Sequence, residues 1–150
     1  MTPDLYTGSL ADLRSIDFRS PARDVWADES AVWARFVDAP AGLDAAAWAL
    51  SGASRSDAGG PDWSLADHLA HVGAWQEIGA RYIAEAGRSG RWPRDEEFEG
   101  GDFDAFNERL RGGGWQLAPG ALRGRLEAAR AAALAEARRL PLETVRGRDA

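Results

Sequence analysis

The chain has 150 residues, a net charge of −6, an apolar fraction of 45% and seven tryptophans, which describes one globular domain with a core to bury rather than a disordered segment. It has no cysteine, so disulfides, thiolate metal sites and a thiol nucleophile of its own are excluded; all 18 basic residues are arginine, which excludes a lysine Schiff base. The acidic balance argues against nucleic acid, no apolar run reaches the length of a membrane span, and the N-terminus carries no export pattern, so the expected location is the cytoplasm.

Residues 1–20 show no period and read as an arm. Pro21 opens a segment in which Val25, Trp26, Val32, Trp33, Phe36 and Val37 recur at helical spacing, predicting a first helix over 22–38 with Pro40 and Gly42 as stop signals. Residues 44–50 read as a short helical turn and 51–61 as a Gly/Ser/Asp loop. A second helix is predicted over 64–87, ending at Gly87 or Gly90, followed by an acidic loop over 91–102. Phe103, Phe106 and Leu110 mark a short helix closed by Gly112, Gly113 and Gly114. Pro119 starts the last helix, where Leu122, Leu126, Ala129, Ala133, Ala137 and Leu140 keep one stripe until Pro141. Residues 142–150 read as a polar tail without pattern. No alternating β-branched run occurs, so no sheet is expected. The fold class is all-α: an up-down helical bundle over 21–141, with three long helices visible and a fourth either missing or supplied by a partner.

The second helix carries the chemistry. Ser64 and Asp67 stand in the order of a capping box, which fixes the register. In that register the only two histidines, His68 and His71, share a stripe with Trp75, Ile78 and Tyr82, next to an apolar stripe of Leu65, Leu69, Val72, Gly79 and Ile83. Imidazoles at the inner edge of a helix need partners, because a buried polar group without one is costly.

The pattern Trp63, Ser64, Asp67, His71 and Trp75 resembles the second helix of the DinB/YfiT-like superfamily, near its maleylpyruvate-isomerase-like and DfsB/ClbS-like branches. Asp104-Ala105-Phe106-Asn107 is similar to an Asp-x-x-Asn segment of those branches, and the order of motifs matches over roughly 22–141. The resemblance implies a four-helix bundle, often dimeric, and in many members a divalent metal such as zinc or nickel held by three histidines. His71 stands at the first of these positions; the His-x-x-x-His pair implied for the fourth helix has no counterpart in this sequence. It also implies a small-molecule electrophile as substrate and a low-molecular-weight thiol, of the mycothiol or bacillithiol type, as co-substrate.

Two readings stand beside that thiol- and metal-dependent transferase or isomerase: a metal-independent hydrolase or resistance protein of the DfsB/ClbS kind, and a non-catalytic module whose open groove is filled by a second copy as a homodimer. His71 is the candidate metal ligand or general base. Glu29, which interrupts the apolar stripe of helix one, is a second catalytic candidate, or a glutamate at the stripe's edge reaching water. Trp75 and Asn107 are the candidate substrate-binding residues. Asp67 is expected to cap rather than to orient His71, and His68 to be structural or partly exposed.

Overall fold

The computed structural model describes residues 20–54, 61–91, 93, 102–112 and 117–145. The arm over 1–19, most of the acidic loop, the triple glycine beyond Gly112 and the last five residues lie outside the described residues. The chain divides into two compact units, one within Met1–Gly42 and Pro141–Ala150, the other within Leu43–Leu140.

In the first unit, α1 spans Val25–Asp38. It starts three residues later than Pro21 suggests because Asp24 caps it, its carboxylate accepting from the backbone N–H of Trp26 and Ala27. Ala31 and Trp33 are its buried residues, Trp33 stacks on Phe36 at 5.4 Å, and Val32 is 46% exposed. The buried face is therefore narrower than the apolar spacing implies. The predicted patternless tail is corrected in part: Leu142–Val145 form a one-turn helix, α6, begun by the Val145 N–H donating to the Pro141 carbonyl.

The second unit holds the rest. A short helix α2, Ala45–Ala49, is capped by Asp44 and buries Trp48. The expectation of no sheet is corrected: Ser51–Ser54 (β1) and Trp63–Ser64 (β2) pair antiparallel, with a register shift at Gly52, whose φ of 101° suits only glycine. This ladder lacks β-branched residues, and the Ser51 hydroxyl adds a bond to the Asp62 carbonyl at 2.9 Å, so no alternating apolar pattern announces it.

α3 spans Leu65–Ser89 and carries the full capping box, with Ser64 Oγ accepting from the Asp67 N–H and the Asp67 carboxylate accepting from the Ser64 N–H. Gly90, at φ 70°, closes it in the left-handed region, its N–H donating to the Ala86 carbonyl. α4, Phe103–Gly112, begins where Asp102 accepts from the Ala105 N–H, and α5, Pro119–Ala137, begins on its proline.

The core of this unit is the seam between α3 and α5. α5 buries Leu122, Leu126 and Ala129, and α3 buries Leu69, Ala70, Gly73, Ala74 and Ile78. The predicted α5 stripe holds for its first half. On α3 the buried face is rotated from the predicted one: small residues, which allow close backbone approach, replace Leu65, Val72, Gly79 and Ile83 at its centre. The seam also sets direction. Glu77 pairs with Arg125, and further along Gly87 lies against Leu140, so α3 and α5 run parallel. The connection between them carries α4. The helical class expected from the sequence holds, and two parallel neighbours need a connection longer than a hairpin loop, which the span from Gly90 to Ala118 provides.

Candidate functional site

The site begins where β2 runs into α3. Pairing with β1 sets Trp63 directly ahead of the helix cap, with its side chain buried. The indole centroid lies 5.2 Å from the His68 ring and 5.2 Å from the His71 ring, meeting the second edge-on at 71°. One turn along α3 the His71 ring meets Trp75 at 6.2 Å, again edge-on, and Trp75 meets Phe106 of α4 at 5.6 Å. His71 is thus an inner link of an aromatic chain running Trp63, His71, Trp75, Phe106.

α4 reaches this chain at a second point. Trp63 Nε1–H donates to Glu108 Oε1 at 2.8 Å, and Glu108 Oε2 pairs with Arg111 Nη2 at 2.8 Å. Arg111 also donates through Nη1 to the Pro61 carbonyl at 2.8 Å, and its guanidinium lies 5.6 Å from the Trp63 ring. The Arg111 and Glu108 side chains are only 15% and 21% exposed, so their mutual charge and the indole N–H offset desolvation.

His71 is half-buried. Its Nδ1 is covered and has no hydrogen-bond partner among the described residues, and the same holds for Gln76 Oε1 and Asn107 Oδ1. A buried polar atom left unpaired costs about 1–3 kcal/mol, which a ligand offering the complementary group would recover. Burial, and secondarily the charge of neighbouring His68, holds the His71 imidazole below its usual 6.5. At neutral pH the ring is therefore uncharged and retains a basic nitrogen.

Of the residues singled out from the sequence, His71 and Trp75 meet at 6.2 Å between ring centroids. Asn107 follows Phe106 on α4, half-buried, one residue before Glu108. Asp67 caps α3, and His68 is half-buried against Trp63. Glu29 lies half-buried on α1, near the Ser30 hydroxyl at 3.5 Å, whereas every residue of the site just described belongs to the unit Leu43–Leu140. Glu108 and Arg111 are functional candidates that the sequence hides, since Glu-x-x-Arg on a short helix reads as an ordinary surface pair. The one signal is their position just after the Asp-x-x-Asn segment.

The family model of the DinB superfamily matches residues 24–148. The chain belongs to the DinB superfamily. No curated protein and no solved structure shows significant similarity to it. For this DinB-superfamily chain the three-histidine metal set implied by the sequence resemblance can be tested against the donors. Beside His71 stands His68, and the Asp67 carboxylate is engaged in the helix cap. Among the described residues no group of three or more His, Asp or Glu side chains could hold a metal ion. A zinc-like ion takes three or four protein ligands, so the described donors do not fit one. Among the described residues, too, no helix is long and apolar enough to cross a membrane.

Proposed function

We propose that this protein is an enzyme acting on a small electrophile, with His71 as the general base that activates the attacking nucleophile without a bound metal. The observation that carries the reading is the His71 ring itself: flanked by two indoles, held below its usual 6.5 by burial, with a covered nitrogen that has no hydrogen-bond partner among the described residues. In the step envisaged, the neutral imidazole takes a proton as the nucleophile's oxygen or sulfur bonds to the electrophilic carbon. The imidazolium then returns that proton to the leaving group. Trp75 supplies an apolar wall for the substrate, and Asn107, whose carbonyl oxygen has no partner among the described residues, supplies a hydrogen-bond acceptor.

The nucleophile is water, or a low-molecular-weight thiol of the mycothiol or bacillithiol type. A thiol would have to come from outside the chain, which contains no cysteine. Hydrolysis of 4-nitrophenyl acetate, followed with and without added thiol, separates the two. Replacing His71 with Gln is expected to lower the enzyme-dependent rate by roughly 100-fold or more. Equal rates for wild type and His71→Gln would remove the proposal.

A further inference from the structure

We propose that Glu108 is a positioning residue for His71, acting through the indole of Trp63; this rests on the reading of His71 as the base. Trp63 sits on a strand of two residues, and nothing in so short a ladder fixes its side-chain angles. Yet its ring forms one wall of both imidazoles, at 5.2 Å from each. The orientation of that indole therefore determines where the His71 ring can lie.

The indole has a single polar handle, Nε1–H, and Glu108 Oε1 accepts from it at 2.8 Å. The carboxylate is itself held: its second oxygen pairs with Arg111, which also binds the carbonyl of Pro61, two residues before Trp63. The arrangement closes on itself, α4 gripping the Trp63 side chain of β2 and the backbone two residues ahead of it. Without the carboxylate, a buried N–H would be left unpaired, and the indole would turn to satisfy it, away from the imidazole. Two residues before Glu108, Phe106 packs on Trp75. The same short helix thus holds both indoles that flank His71, one by a hydrogen bond and one by ring contact. Arg111 acts behind Glu108 as its counter-ion.

The test reads the imidazole directly. The carbon-bound ring protons of His71 lie within the ring current of Trp63, so their NMR positions report the packing of the two rings independently of activity. Glu108→Ala is expected to displace those signals and to lower kcat on 4-nitrophenyl acetate by roughly 10- to 100-fold. Glu108→Gln, which keeps an acceptor oxygen for the indole but loses the charge that pairs with Arg111, is expected to restore both in part. If Glu108→Ala does not fold by circular dichroism, Glu108→Asp takes its place, since it withdraws the carboxylate from the indole by one methylene. A folded Ala or Asp variant with wild-type His71 signals overturns the proposal, and so does a Gln variant as impaired as Ala. The NMR readout decides this point even if His71→Gln leaves ester hydrolysis unchanged, so failure of the base reading and failure of the positioning role are told apart.

Discussion

Protonation of the His71 imidazole, the base in the proposed reaction, leaves a thermodynamic trace. Because the folded state holds His71 below 6.5, protonation is harder in the fold than in the unfolded chain. Above pH 6.5 both states carry the neutral ring and the full contribution to stability is present. As pH falls, the unfolded chain binds its proton first, and stability is lost until the pH has passed below the folded value. Urea midpoints measured at pH 7 and pH 5 are expected to drop further for wild type than for His71→Gln. Identical drops would show that the ring is not buried as described. The place of this residue on its helix was legible in the sequence because Ser64 and Asp67 fix the register. Its aromatic surroundings were legible only in part. Trp75 lies one turn away and could be placed by periodicity, whereas Trp63 precedes the helix and reaches His71 only because a short strand turns it there.

At the scale of the element, helix ends were better written in the sequence than helix faces. Ser64 and Asp67 form the expected box, and Gly90 ends the helix in a conformation open to glycine. Ser64→Ala should cost about 1 kcal/mol, and Gly90→Ala about the same, read as shifts in the denaturation midpoint. Two other glycines predict the opposite sign. A Cβ at Gly79 or Gly124 would meet nothing within 4 Å, and both lie inside helices at ordinary φ. Replacing each with Ala should stabilise by roughly 0.5–1 kcal/mol, because alanine loses less backbone entropy on folding. A destabilised Gly79→Ala protein would mean that this face of α3 is closely covered. The faces themselves were harder to read. Ala70, Gly73 and Ala74 score as weakly apolar, yet they form the buried side of α3, since contact between two long helices rewards small residues as much as large ones.

For the whole molecule, stability in the unit Leu43–Leu140 rests on the parallel seam of α3 and α5. Leu122 and Leu126 are its most deeply buried large side chains, at 0% and 2% exposure. Leu126→Ala is expected to cost about 2–5 kcal/mol, a large share of the 5–15 kcal/mol typical of a domain. Glu77→Ala, which removes the ion pair across the same seam, should cost less than about 1 kcal/mol, since both partners are more than a third exposed. Calorimetry on the two variants separates these cases, and equal losses would contradict the packing described. The amino-acid order by itself determined the helical class, the capped ends and the imidazole at position 71, because those follow from interactions within a few residues of the chain. Direction, burial and the company His71 keeps were decided only by tertiary structure. The parallel course of α3 and α5, the serine-rich ladder and the reach of Glu108 to Trp63, 45 residues earlier, each depend on which segments meet in space, and no local periodicity carries that information.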